Sequence, residues 1–263
     1  MTKPLFLISN DDGVHAPGIR ALAAAVEPFA DWVIVAPQVE KSGSGMCVSL
    51  NVPLRKEKLA SNIYAVEGTP VDCVMFALNK VFDRQPTMVL SGINRGSNIG
   101  QDCLYSGTIA AAMEGCLRGI PAVAFSLNAR RAFEESDYAD AVKVVRLILE
   151  QPALFNLAQD TVLNVNIPSG PVNKMRGFAV CPLGRRIYDS QISENVDPRG
   201  RPYYWIGGGG DDIEHIPGSD CNMLQEHFIT LTALTPDRVH QRANTHLAND
   251  LLGVLNENLQ IKA

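Results

Sequence analysis

The sequence predicts an α/β protein built on a doubly wound sheet, followed by an extended arm and a terminal helix. Three observations carry that reading. Short apolar runs of strand length alternate with helix-period segments from Leu5 to Ile167, the pattern of a sheet covered by helices on both faces. The first run, Leu5-Phe-Leu-Ile-Ser-Asn-Asp-Asp-Gly13, reaches two adjacent carboxylates without an earlier charge. Past Pro182 the texture changes to glycine, proline and aromatic residues. The chain thus divides into a core over residues 1–181 and, over 182–263, a hairpin arm, a returning strand and a C-terminal helix.

Taken in order, Leu5 to Ile8 is a buried strand, and Gly13 permits the turn that ends it. Pro17-Gly18 opens a helix with Ile19, Leu22, Ala23 and Val26 on one face. Trp32–Ala36 is a second strand, closed by Pro37, and the polar loop Gln38–Gly45 leaves its carboxyl end with the hydroxyls of Ser42 and Ser44. Val48 to Leu54 reads as a strand of a flanking hairpin. Thr69 is the expected N-cap of the next helix, with Pro70 at its first position. Val74, Met75 and Leu78 form that helix's apolar face.

Thr87–Leu90 is a third strand and empties into the glycine loop Ser91–Gly100, which lacks the Gly-x-Gly-x-x-Gly spacing of a dinucleotide site. Thr108 reads as N-cap of the alanine-rich helix Ile109–Gly119. Ser106, Gly107 and Thr108 would then present hydroxyls and N–H groups at a positive helix end, a ready cradle for phosphate. Pro121–Ser126 is a strand, Tyr138–Gln151 a helix with Ala141, Val144, Val145, Ile148 and Leu149 inward, and Thr161–Ile167 a further strand. Gly184–Tyr188 and Asp197–Gly210 suggest the arm, Phe228–Leu234 a returning strand. Thr245–Leu259 carries Leu247, Leu251, Val254 and Leu255 at helical spacing.

Composition narrows the function. The 263 residues carry a net charge of −5 with 46% hydrophobic content and no basic run, which argues against duplex nucleic acid as a partner. No apolar stretch reaches membrane-spanning length. Met-Thr-Lys-Pro leads straight into the first strand, so no signal peptide is expected. Six cysteines without a Cys-x-x-Cys pair read as reduced thiols of a cytoplasmic protein and give no zinc site.

Three strands emptying on one edge bring together Asp11, Asp12, Ser42 and Asn94. Two carboxylates, a hydroxyl and an amide carbonyl suit one hard divalent ion, Mg²⁺ or Mn²⁺ and also Ca²⁺, rather than zinc or copper. Ion and helix cradle side by side point to phosphate-ester hydrolysis. Asn98 is a further candidate for substrate contact, and His15 reads as a capping or surface residue.

Ordered blocks along the whole chain carry a resemblance. They are Asn10-Asp-Asp-Gly13 with Ala16-Pro-Gly18, Ala36-Pro37 leading to Ser42-Gly43, and Gly68-Thr-Pro70 with Asp72-Cys73. Ser91-Gly-Ile-Asn94 and Tyr105-Ser-Gly-Thr108 follow, and Arg185, Asn195, Pro198-Arg-Gly200 and Trp205-Ile-Gly207 extend the match into the arm. Together they resemble the SurE (survival protein E) family of metal-dependent 5′/3′-nucleotidases. The resemblance implies Asp11, Asp12, Ser42 and Asn94 as metal ligands, with Asp11, Asp12 and Asn94 catalytic, and Ser106, Gly107 and Thr108 at the phosphate. It also implies a Rossmann-like core whose C-terminal segment is exchanged in a homodimer or tetramer, nucleoside monophosphates as substrates, and short polyphosphate as a further candidate. Gln38 stands where many relatives carry Asp, and Gly45, Met46 and Cys47 where they carry a Ser-Asn-Ser run.

Two other readings compete. An aspartyl-phosphate phosphatase also places acids after a first strand, but it wants Asp-x-Asp, whereas neighbours on an extended chain point apart. A nucleotide-binding sensor without catalysis would use the same fold.

Overall fold

The apolar N-terminal run becomes β1 (Leu5–Ser9), and the chain continues through α1 (Pro17–Val26), β2 (Asp31–Pro37), β3 (Lys56–Ala60), β4 (Ile63–Val66), α2 (Pro70–Lys80) and β5 (Met88–Arg95). Next come α3 (Gly107–Leu117), β6 (Ala122–Asn128), α4 (Ala139–Leu149), β7 (Val162–Pro168) and β8 (Phe178–Val180). The remaining elements are β9 (Arg186–Ile187), β10 (Ile192–Val196), β11 (Pro202–Ile206), β12 (Asp212–Ile213), α5 (Asp220–Gln225) and β13 (Ile229–Leu234). This computed structural model describes residues 3–129, 131–158, 160–188, 192–206 and 212–237. The helix expected over Thr245–Leu259 and the glycine run Gly207–Gly210 lie outside the described residues.

Among the described residues nine strands form one sheet in the order β3-β4-β2-β1-β5-β6-β7-β13-β8. From β4 to β7 every neighbouring pair is parallel, while β3 and β13 run antiparallel to β4 and β7. The chain builds outward from β1 to β2 and β4 on one side, then returns to β5 and grows through β6 and β7 on the other. This is a doubly wound, Rossmann-like α/β sheet. Its strand order reverses between β1 and β5, the place where such sheets bind ligands beyond their carboxyl ends.

Alternate residues feed two cores. Phe6 and Ile8 of β1 pack with Leu90, Phe125 and the inner faces of α1 and α4. Leu7 points the opposite way, into the layer of α2 and α3 with Val35, Val74 and Ala111. A strand buried on both faces must be apolar throughout, and β1 is so until Ser9. Helix α4 buries Ala141, Val144, Val145, Ile148 and Leu149, the five residues its periodicity assigned inward. Each of the larger ones contributes about 1.5–3 kcal/mol through burial. No helix among the described residues is long and apolar enough to cross a membrane.

Three local expectations fail. Val48–Leu54 is irregular rather than a strand; the hairpin is β3 with β4, a little further on. All five residues of β3 are exposed, so its Lys-Glu-Lys-Leu-Ala sequence has no apolar alternation to announce it. The strand read as ending at Leu90 runs on to Arg95, across what looked like loop. Gly92 makes this extension possible: its φ is +122°, and a Cβ there would lie 2.2 Å from the carbonyl oxygen of Phe125. The pairing of β5 with β6 shifts register between Ser91 and Asn94, which returns Asn94 to the sheet edge opposite Ser126. The buried face of α2 also differs, with Val71, Val74 and Ala77 innermost while Met75 and Leu78 are only half-buried.

Candidate active site

Asp11 and Asp12 leave the carboxyl end of β1 at the reversal point, and neighbouring loops are tied to them. The Lys41 N–H donates to the Asp11 carbonyl oxygen at 2.7 Å, which fixes the start of the Ser42 loop against the acid turn. The Arg95 N–H donates to Asp12 Oδ2 at 3.2 Å, so the end of β5 is fastened to the second acid. Helix α3 approaches from the other side with no room to spare. A Cβ on Gly107 would fall 2.7 Å from the Cβ of Asp11 and 2.9 Å from the Ser44 hydroxyl.

That close approach changes the roles read from the sequence. The N-cap of α3 is Ser106, whose Oγ accepts from the Ile109 N–H at 3.1 Å. Thr108 is instead the second helical residue, fully buried, and its hydroxyl donates to Asp11 Oδ1. The N-cap role read for Thr108 is therefore corrected: its hydroxyl is engaged by the Asp11 carboxylate, while the helix start offers backbone N–H groups.

Both acids ionise reluctantly. Burial pushes the Asp11 carboxyl up to about 6 against the lowering pull of the Thr108 hydrogen bond, and the charge of Asp12 adds to the rise. Burial also raises Asp12, and Glu40 adds to this, while the Arg95 N–H and guanidinium act in the opposite sense. Two crowded carboxylates of this kind suit a bound cation, whose charge would favour their ionised forms. Nearby, Asn10 Oδ1 and Ser44 Oγ are buried without a hydrogen-bond partner.

The other residues named from sequence are placed as follows. Asn94 donates from Nδ2 to the Gly96 carbonyl oxygen at 2.8 Å, which turns its Oδ1 away from that bond. Ser42 is exposed and donates to Glu40 Oε1 at 2.8 Å. Asn98 is buried over a side-chain lattice from β6 and β7. Its N–H donates to Asn166 Oδ1 at 2.7 Å and its amide nitrogen to Ser126 Oγ at 2.8 Å. Its carbonyl oxygen accepts from Asn164 and Asn166 at 2.8 and 3.0 Å. The loop after β5 is thus held rigidly despite its glycines.

Asp11, Ser42, Asn94, Asn98 and Ser106 line one cavity of about 480 Å³. Asp12 faces a smaller neighbouring cavity of about 170 Å³ with Glu40 and Tyr138, and Arg95 borders both. Gly107 and Thr108 lie beneath, against Asp11. A larger cavity of about 620 Å³ begins beyond Ser106, but its walls include Met46, Ile109, Met113 and Leu234 and neither acid of the pair. Sequence reasoning missed Arg95, Asp102 and Tyr188 on the walls of the main cavity. Arg95 carried a signal, as the cation directly following Asn94; Asp102 and Tyr188 are brought in by tertiary folding and carried none.

The donor set fits a hard divalent ion. Among the described residues no three His, Cys, Asp or Glu side chains gather at metal-binding distance. A cation here would be held by the two acids and neutral oxygens, the preference of Mg²⁺, Mn²⁺ or Ca²⁺.

Fold and site define a Rossmann-like α/β protein with an acid pair and a helix N-terminus meeting at the reversal point of its sheet. Residues 6–190 match the family described as Survival protein SurE, and the chain belongs to that family. Among curated relatives, the 5′-nucleotidase SurE of Syntrophotalea carbinolica is 42% identical, over 91% of this chain and 94% of its own. Proteins of the same name are 48% identical in an Anaeromyxobacter species, over 89% and 91% of the two chains, and 44% identical in Vibrio parahaemolyticus, over 90% of each. The crystal structure of the SurE protein from Aquifex aeolicus superposes with a TM-score of 0.79 at 35% identity, covering 93% of this chain and 98% of that one.

Proposed function

We propose that this protein is a metal-dependent phosphomonoesterase that releases phosphate from nucleoside 5′- and 3′-monophosphates, with short polyphosphate as a further substrate. The observation that carries the reading is the contact of Asp11 with the first turn of α3, which puts a cation-seeking acid and an anion-seeking helix end in one place. Relatives named 5′-nucleotidase over nine-tenths of the chain support the substrate class.

Asp11, Asp12, Ser42 and Asn94 would hold one Mg²⁺ or Mn²⁺ per subunit, with Ca²⁺ compatible. When bound, the ion supplies a water of lowered pKa and a counter-charge for the developing phosphoryl oxygens. The rest falls to the chain. The Thr108 hydroxyl holds Asp11 in one orientation, and the Arg95 N–H does the same for Asp12. The start of α3 turns the favourable end of its helix dipole toward a phosphate in the cavity, while the Thr108 N–H, like its hydroxyl, is engaged by the Asp11 carboxylate. Asn98, locked by Asn166 and Ser126, contributes a fixed wall rather than a mobile loop. The test is phosphate release from AMP, GMP, their 3′ isomers and tripolyphosphate with the divalent ion varied. Reversible loss with EDTA is expected. Undiminished turnover in EDTA would overturn the reading.

A further inference from the structure

Tyr188 and Tyr105 border the same cavity as the candidate metal ligands, and neither is needed to hold an ion or a phosphate. Tyr188 follows β9 at the start of the arm, yet it is tied to the site. Its hydroxyl lies 2.5 Å from each carboxylate oxygen of Asp102, which also lines the cavity. Arg186 pairs with the same carboxylate at 2.7 Å, and its guanidinium carbon stands 5.6 Å from the centre of the Tyr188 ring. The backbone of Arg186 is clasped by the Gln101 side chain, which donates to its carbonyl oxygen at 2.6 Å and accepts from its N–H at 2.8 Å. An aromatic ring on a surface arm would ordinarily move freely. This one is anchored at its hydroxyl and backed by a cation while 44% of it stays exposed. Burial and the Asp102 carboxylate push the phenol up to about 12, so the ring stays neutral.

We infer that Tyr188, braced by Asp102 and Arg186, is the surface on which the base of a bound nucleoside monophosphate stacks. Tyr105, which lines the same cavity, is a second aromatic edge for it. The inference rests on the proposed nucleotidase reading and deepens it. The phosphate end of the cavity is polar and closely built, so it recognises any phosphomonoester. A flat aromatic group fixed on the wall of the same cavity adds attraction for every base, since each has a π-face, without selecting one base by hydrogen bonds.

The experiment compares AMP and GMP with ribose 5-phosphate, which lacks a base, on intact protein with saturating Mg²⁺ or Mn²⁺. Tyr188→Leu keeps bulk but removes the π-face. It should raise KM for AMP and GMP by roughly 5- to 150-fold, the range of one base–aromatic stack, while kcat and the ribose 5-phosphate KM stay within about twofold. Tyr188→Phe keeps the π-face but loses the Asp102 anchor, so its KM for AMP and GMP should fall between the wild type and Tyr188→Leu. An unchanged KM for AMP in Tyr188→Leu, or an equal rise with ribose 5-phosphate, overturns the assignment. Should Tyr188→Leu not fold, the fluorescence of Tyr188→Trp decides: AMP should quench it more than it quenches the wild type, and equal quenching overturns the stack. Wild-type protein that releases no phosphate from any substrate with any ion would instead sink the nucleotidase reading. That outcome is separate, because the quenching measurement does not require turnover.

Discussion

Asp11 sits under opposing demands: burial favours its neutral form, and the Thr108 hydroxyl favours its charge. Each residue around it can be removed with a distinct consequence. Asp12→Asn keeps shape and one acceptor but removes a negative charge from a set whose charges suit a divalent ion. Turnover is expected to fall by about 100-fold or more, the scale of losing one preorganised charge-stabilising group, while the far-ultraviolet circular dichroism stays that of the wild type. An Asp12→Asn enzyme working at a substantial fraction of normal speed with excess Mg²⁺ would show that Asp12 is no ligand. Thr108→Val removes the bond to a charged acceptor, worth about 1.5–3 kcal/mol. Because that bond supports Asp11 rather than the substrate, the variant should need more metal for half-maximal activity, with KM for AMP measured at saturating metal little changed. The reverse pattern would return the hydroxyl to the phosphate. Gly107→Ala tests the fit itself: a methyl 2.7 Å from the Asp11 Cβ must displace the acid or the helix. A loss of about 1–3 kcal/mol in denaturant unfolding is expected, with activity falling too. The place of the acid pair was legible because the apolar run before it had to be a buried strand, which puts both acids just beyond its carboxyl end. The Thr108 role was not, because Ser106 and Thr108 are both accepted N-cap types and only the packing of α3 on β1 shows which hydroxyl caps.

At the scale of elements, what was legible followed burial. Strands β1, β2, β6 and β7 are buried along most of their length, so their apolar runs had no alternative reading. The edge strand β3 is charged and solvated, and its pairing with β4 cannot be seen in one segment alone. The start of α2 was legible for another reason, the Thr69-Pro70 signal, and the structure adds the reciprocal half of a capping box. Asp72 accepts from the Thr69 N–H at 2.8 Å and from the Ser49 N–H at 3.0 Å. It thereby ties the irregular 48–54 segment to the helix. Burial would raise the Asp72 carboxyl, but these bonds together outweigh it and hold the group below the usual carboxylate range. The sign follows directly. A group with a depressed folded pKa binds protons more readily when unfolded, so its stabilisation is complete above the ordinary Asp value and disappears as pH falls through the folded value. Asp72→Asn should therefore lower stability near neutral pH by about 1–3 kcal/mol, and the gap between variant and wild type should narrow on acidification. A gap of constant size from neutral pH to below 3, in urea titrations, would contradict this.

At the scale of the molecule, one piece is left without a support among the described residues. Strands β10 and β11 pair with each other in a two-stranded ribbon, and all ten of their residues are exposed. Ile192, Val196, Tyr204, Trp205 and Ile206 are 64%, 62%, 59%, 65% and 94% accessible. An isolated hairpin is marginal in water, and an apolar ribbon of this length standing free would invite association. Its base, however, is well anchored. Asp220, fully buried, accepts from the Gly184 N–H at 2.6 Å and from the Gly100 N–H at 2.9 Å, which joins the root of the arm to the loop that borders the site. An anchored start of the arm with an exposed apolar ribbon beyond it is suited to packing on a second copy of the chain, and exchange of an identical element is a low-cost route to closed oligomers. The expected assembly is a homodimer or tetramer in which the hairpin is covered by a neighbouring subunit. The double variant Tyr204→Ser, Trp205→Ser removes the largest apolar side chains while leaving the strand pairing intact. It should reduce the native mass measured by light scattering or make it depend on concentration, and catalysis should weaken in step if the covered hairpin steadies Tyr188 through the arm. If the double variant keeps the wild-type mass down to nanomolar concentration, the hairpin is not what joins the subunits.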